Sequence, residues 1–564
     1  MRKQTKIAAV VSAAALLALG ASITSFAASK GTWMMVDDEW YCYDKNGDVY
    51  TNTFCSSNGK EYYVGDDGAI VTSSWVDYDG EYYFVNSSGA KVTNDWRLTA
   101  PIDDENGDEQ WFYFQSTGKR ANNKKILYKG HTYFFDADGK MLTGWVTADG
   151  QDVVNEENSI DTDKTFYCDE TGARVESGWI QATEPATADD DADADEYWYY
   201  LKSSGKVATG KQNNVKGQSY IFGNDTDNVG QLLTGWVGGK NEYDDKGKVK
   251  KVVYTEIGGE NDAKPLTDAD VDVSYFAPIG GDFDGHVKKN QWALTWKPTE
   301  YYDEDEDNDK WYYWLDKDGK VFVPEAGTYD ALGYKYALGD AALEIKNGGT
   351  AYEITKKKIN SKDYFFNEAG EMLSKFIDVQ EVELNGHDEF AILPGFYYLG
   401  GGSDGCMKTG AQSIKDDNGD VYKFYFGTKT NNTTGEIKGA GITGNKNNKL
   451  YYEGHLVAAE DYKYQPVWVN VRGVDRLFVV NQNGSIQHST VEYKEDGDVL
   501  VDMKGLKDLD EKFIEKADLA KGYTVWDKYA VVTGDANISV YVDYLDPNKV
   551  MSFKDYSKVT PSSK

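Results

Sequence analysis

The 564-residue sequence is poor in the residues on which metal binding and catalysis usually rest. Its five histidines, His131, His286, His387, His455 and His488, form no metal-ligand spacing. Its four cysteines, Cys42, Cys55, Cys168 and Cys406, are too few for a disulfide framework and match no zinc site. Cys42 and Cys168 stand where other segments carry aromatics and read as packing residues, with a Cys42–Cys55 bridge as the alternative. Bases are scarce as well: 60 Lys and Arg face 94 Asp and Glu, a formal net charge of −34. That imbalance excludes polyanionic nucleic acid as a natural partner and leaves cationic groups, metal ions or neutral sugars. One apolar run exists, Ile7 to Leu19, behind Arg2, Lys3 and Lys6 and ahead of Ser25-Phe26-Ala27. It is a signal-peptide pattern, cleaved after Ala27, and too short for a permanent span. No transmembrane segment is expected downstream. Thr560–Lys564 shows no covalent sorting signal, so retention at a surface is expected to be noncovalent.

Aromatic residues are abundant, at 14% of the chain with 42 Tyr and 15 Trp, while mean hydropathy is −0.63. Tyr and Trp bury large faces yet keep a polar handle, which suits a thin fold with little interior. The chain is also periodic. "EWYCYDKNGDVY", "KEYYVGDDGAIV" and "GEYYFVNSSGAKV" align, with glycines Gly47, Gly68 and Gly89 spaced 21 apart, and Gly118 and Gly139 repeat that spacing. Further copies carry Gly172, Gly205, Gly319, Gly370 and Gly484. Aromatic and β-branched runs favour strands, and Asn-Gly, Asp-Gly or Ser-Gly supplies the positive φ of a turn. One hairpin cannot bury its apolar face, so copies must stack on their neighbours.

The predicted fold is therefore all-β, a superhelical solenoid of β-hairpins with a small α+β C-terminal module. The predicted organisation is a signal peptide at 1–27 and a first array at 28–240. An irregular insertion at 241–300 precedes a second array at 301–490, and a C-terminal module spans 491–564. Apolar spacing at Leu506, Leu509, Phe513 and Ala517 ahead of Gly522 predicts one amphipathic helix there.

Written as a repeat, the pattern resembles the cell-wall-binding repeat family, which includes choline-binding and glucan-binding repeats of Gram-positive surface proteins. The resemblance rests on "GKMLTGW" (Gly139 to Trp145), "GARVESGW" (Gly172 to Trp179), "QLLTGW" (Gln231 to Trp236) and the strings "WYCY", "EYYF" and "YWYY". It covers about 31–490. It implies aromatic cages between consecutive hairpins, in which ring faces hold a quaternary ammonium by cation–π attraction. The pairs it implies are Trp33 with Trp40, Trp75 with Tyr82, Trp96 with Trp111, Trp179 with Trp198, and Trp296 with Trp311. Trp145 and Trp236 stand at the Gly-Trp position, and Met141 matches the family's methionine after the turn glycine, as Met372 and Met407 do. Glu61, Thr132, Thr165 and Asp363 depart from the pattern and leave cages without a wall. Each Trp pair can equally be read as packing between hairpins, whereas Tyr63, Phe84 and Phe134 read as structural.

The remaining motifs point away from chemistry. Gly401-Gly402-Ser403-Asp404-Gly405 matches a hydrolase nucleophile elbow in letters but lacks the strand–turn–helix context. "DKNGD" at Asp44 and "DADGK" at Asp136 lack the spacing of a calcium loop and read as turns. Asp303-Glu304-Asp305-Glu306-Asp307 reads as a solvated acidic loop. The expectation is a secreted, noncatalytic protein without cofactor or metal, wall-associated through choline-bearing teichoic acid or a related glycan. The alternatives are an adhesin or toxin-like binder of glucan or host glycans, and an enzyme whose catalytic region lies in 241–300 or 490–564.

Overall fold

The computed structural model describes residues 31–104, 106–147, 160–185, 195–257, 265–268, 270–278, 285–299, 309–336, 350–380, 392–416, 418–460, 462–472, 474–489, 491–502, 530–532 and 539–541. The predicted signal peptide, the helix before Gly522 and the acidic cluster at 303–307 lie outside them. Among the described residues every regular element is a strand. The chain divides into two compact units, Met1–Leu233 and Thr234–Lys564.

The first unit is a succession of separate antiparallel hairpins. Thr32–Val36 pairs with Glu39–Tyr43, Thr53–Ser57 with Lys60–Val64, and Ser74–Tyr78 with Glu81–Val85. Asp95–Thr99 then pairs with Gln110–Phe114 and Lys124–Tyr128 with His131–Phe135. Gly144–Thr147 pairs with Thr165–Cys168, Gly178–Thr183 with Glu196–Leu201, and Gly210–Val215 with Gln218–Phe222. Several tips are two-residue turns with positive φ at both positions, as at Asn58-Gly59, Asp79-Gly80 and Lys129-Gly130. Such turns match the right-handed twist of the flanking strands.

The glycines of the sequence repeat do not sit at these tips. Gly47, Gly68, Gly89, Gly118 and Gly139 occupy a second turn, after the second strand of each hairpin. Both turns demand positive φ, so the sequence pattern alone does not tell which strands a given glycine joins. The second turn is clasped by a side chain three residues before its glycine. Asp44 Oδ1 accepts the N–H of Asn46 at 2.7 Å and of Asp48 at 2.9 Å. Asn86, Asp169, Asp316, Asn367, Asp416 and Asn481 repeat the clasp. The Asp-rich turns thus use their carboxylates on their own backbone. Among the described residues no group of His, Cys, Asp and Glu could hold a metal ion.

The residues after the glycine stitch neighbouring hairpins together. Lys91 N–H donates to Glu61 O of the previous hairpin at 2.7 Å, and Val92 N–H donates to Phe84 O of its own hairpin at 2.9 Å. The pattern recurs as Arg120 to Tyr82, Met141 to Trp111, Arg174 to Thr132 and Leu232 to Trp198. In the second unit it recurs as Val321 to Ser274, Met372 to Tyr312 and Met407 to Asp363. Many stitch residues also lie beneath the next repeat glycine, where a Cβ would strike them: Lys91 under Gly118, Arg120 under Gly139, Met141 under Gly172. Between hairpins the interior is a set of small clusters, such as Phe54, Val76, Tyr83 and Val85, then Phe84, Val92, Phe112 and Phe114. Phe134 is fully buried, Phe84 is buried, and Tyr63 is half-buried against Phe54 and Tyr78. All four cysteines are buried thiols, and Cys42 and Cys55 share a cluster with Val64.

The second unit keeps the stitch but elaborates the hairpins. Gly235–Tyr243 pairs with Val273–Ala277 as a repeat hairpin, and Val249–Ile257 is an added third strand on its other edge. The region 241–300 contains several strands. It holds the extra strand and also two repeat strands, Val273–Ala277 and Gln291–Thr295, the latter paired with Trp311–Leu315. Two five-stranded sheets follow, one centred on Ala331–Tyr336 and one containing Val421–Phe426. Gly401-Gly402-Ser403-Asp404-Gly405 is a turn between the strand Gly395–Tyr398 and the stitch at Met407, with Ser403 exposed and no helix after it.

Candidate functional site: aromatic corners between hairpins

Three positions converge at several junctions between repeats. The first is the second residue of the hairpin's first strand. The second is the residue seven before the repeat glycine, at the start of the second strand. The third is the stitch residue from the following repeat. Directly paired residues share a face of an antiparallel ladder, and residues two apart on a strand share it too. Trp96 pairs with Tyr113, so Trp111, two residues earlier, lies on the same face as Trp96. The stitch from Met141 N–H to Trp111 O then delivers the Met141 side chain, which packs against the cluster that Trp96 borders.

The Trp96–Trp111–Met141 corner is the most open. The two indoles are perpendicular, 85° apart in plane, with centroids 6.4 Å apart. Trp111 is 43% exposed. Trp96 is held from behind by Tyr133 at 4.9 Å, Tyr113 at 5.1 Å and Phe135 at 5.5 Å. Those contacts hold the Trp96 ring in place, and it is half-buried. Trp33, Trp40 and Ile70 occupy the same three positions, as do Trp179, Trp198 and Leu232.

The Trp75–Tyr82 corner is built alike but filled. The Arg120 guanidinium lies 4.6 Å from the Tyr82 centroid and 5.9 Å from that of Trp75. Burial pulls the pKa of this guanidinium down, with Tyr82, Asp138, Asp136 and Asp103 opposing. One corner earlier, Glu61 replaces the strand aromatic and forms an ion pair with Lys91, whose ammonium lies 4.9 Å from the Phe54 ring.

Other predicted residues are placed differently. Trp145, Trp236 and Trp296 are buried. Trp145 Nε1 donates to Thr183 O at 2.9 Å, and Trp236 Nε1 donates to Trp296 O at 2.9 Å. Trp33 and Trp75 also tie to the next hairpin, through Ser56 O at 3.3 Å and Ala100 O at 2.9 Å. The Trp296–Trp311 pairing is replaced by another. Trp311 lies opposite Thr295, and its ring carries the Lys297 ammonium at 4.3 Å. The equivalent corner is Trp292, Tyr312 and Met372, which share one cluster. A one-residue slip along a strand turns the side chain to the other face, and counting seven back from Gly319 would have selected Tyr312. No aromatic stands at Thr132, Thr165 or Asp363.

Comparison with known proteins agrees with the repeat. Residues 125–141 and 193–207 match the sequence model of the cell wall binding repeat of choline-binding type. Glucosyltransferase-I of Streptococcus downei is 32% identical over 215 residues, 37% of this chain but 12% of that protein. Glucosyltransferase-S of Streptococcus mutans is 29% identical over 132 residues, 7% of its length. The chain thus matches about a tenth of the length of these curated relatives. Among solved structures, choline binding protein F from Streptococcus pneumoniae aligns at 14% identity and TM-score 0.29, covering 67% of this chain and 99% of that one. A modular autolysin from the same organism aligns at 15% identity and TM-score 0.30, covering 61% and 52%. Two segments of this chain thus resemble cell wall binding repeats.

Proposed function

We propose that the protein is exported and held noncovalently on a cell-wall polymer by the open aromatic corners, with no chemistry of its own. The observation that carries this reading is the Trp96–Trp111–Met141 corner. It offers two perpendicular π-faces and a polarizable thioether, a geometry suited to a quaternary ammonium such as the choline of a decorated teichoic acid. A single such contact is worth ~0.5–2 kcal/mol, so useful affinity requires several corners acting on one polymer. No helix among the described residues is long and apolar enough to cross a membrane. The likeness to glucosyltransferases over 37% of the chain supports a second reading, in which the same faces stack on glucan rings. Binding to purified cell walls, followed by separate elution with choline and with soluble glucan, tests both. Release by choline alone upholds the first, release by glucan alone the second, and absence of wall binding overturns both.

A further inference from the structure

The stitch position decides whether a corner is available, because its side chain comes from the following repeat and lands between the two aromatic walls. Where it is Met141, the corner stays open between Trp96 and Trp111. Where it is Arg120, a cation already stands 4.6 Å from Tyr82 and 5.9 Å from Trp75. Arg120 is 8% exposed. Its stem is covered by the next repeat turn, since a Cβ on Gly139 would come within 2.5 Å of Arg120 Cδ. The Tyr82 and Trp75 rings lie against the guanidinium, and the carboxylates of Asp138, Asp136 and Asp103 act on it electrostatically. The neighbouring corner fills itself by another route, with Lys91 placed over Phe54 and Tyr83 and paired to Glu61.

Resting on the choline reading above, we propose that Arg120 is a specificity-determining residue, an internal occupant that closes the Trp75–Tyr82 corner to external ammonium ligands. A guanidinium and a quaternary ammonium compete for the same ring faces, and the tethered one has the higher effective concentration. The Arg120 backbone is fixed by the stitch from its N–H to Tyr82 O at 2.8 Å, and its side-chain stem lies beneath the Gly139 turn. The array therefore mixes open and self-closed corners, and polymer is gripped at some repeats rather than at every one.

The test counts choline molecules bound per chain, by equilibrium dialysis with labelled choline, on the full protein and three variants. Near-UV circular dichroism confirms folding. Arg120→Met should add one choline per chain. Arg120→Lys, which keeps the cation, should add none. Met141→Arg should remove one, and it should fold because Arg174 already occupies the same place under Gly205. The proposal falls if folded Arg120→Met gains no site, or if Tyr82→Ala in the parent loses one. Should the parent bind no choline and Arg120→Met bind one, the proposed function fails and this inference stands. Should the parent bind choline and Arg120→Met gain nothing, the function stands and the inference fails. No binding by any variant overturns both.

Discussion

The repeat turn of Gly139 closes over Arg120, at a φ of +76° and with no room for a Cβ beside the Arg120 Cδ. Gly172 stands in the same relation to Met141, at a φ of +79°. Each such glycine meets two demands at once, a left-handed backbone and direct contact with the preceding repeat.

Gly139→Ala should accordingly destabilise the first unit by about 2–3 kcal/mol, combining left-handed strain with a clash against a packed side chain. Urea unfolding followed by tryptophan fluorescence measures it. Gly80→Ala, at a hairpin tip with nothing within 4 Å of the added carbon, should cost less. Equal losses at the two glycines would remove contact with the preceding repeat as a cause.

Trp75 and Trp111 should separate fold from binding. Trp75 packs edge-on against Phe112 at 4.9 Å and Phe84 at 5.6 Å, and its Nε1 donates to Ala100 O. Trp75→Ala should cost about 3–4 kcal/mol of stability, in the range of large-to-small core replacements. Trp111 is largely open on one side, so Trp111→Ala should leave the melting temperature within about 2 °C while weakening wall retention. Thermal denaturation and a wall-binding assay on the same two proteins decide the matter.

The turn clasp supplies a third expectation. Asn86 Oδ1 accepts the N–H groups of Ser88 at 2.9 Å and Ala90 at 3.0 Å. Asn86→Ala should lose about 1–2 kcal/mol, whereas Asn86→Asp should retain most of it, because Asp plays the same part at Asp44 and Asp169. Calcium addition should change neither protein's melting temperature.

The second unit should carry a pH dependence at Glu453. Burial, with the Asp378 carboxylate adding to it, pushes the Glu453 carboxyl up to about 7 from 4.5. The folded state therefore holds this proton more tightly than the unfolded chain does. Its contribution is fully present below about 4.5 and is lost as pH rises toward about 7, up to roughly 3 kcal/mol. His455, pulled down to about 4 by burial, acts in the opposite sense between about 4 and 6.5. Comparing Glu453→Gln with the parent cancels the His455 effect. The variant's melting temperature relative to the parent should climb between pH 4.5 and pH 8. A flat difference across that range would show that Glu453 ionises normally.

Much of the local design was legible in the letters. Positive-φ turns, alternating aromatics and a 21-residue spacing specify hairpins that must stack, because each element follows from backbone sterics and from the small apolar area of one unit. The buried roles of Phe84 and Phe134 and the packing role of the cysteines follow from the same alternation. The tertiary structure alone decided which strand each repeat glycine follows, since two kinds of turn ask for the same φ. It decided that Tyr312 and Trp292, and not Trp311 and Trp296, form a corner, because a strand reverses its face with every residue. It also decided that the Trp75–Tyr82 corner is filled while the Trp96–Trp111 corner is open. The side chain responsible comes from the next repeat and is placed by a backbone hydrogen bond between hairpins, a contact that periodicity within one repeat does not encode.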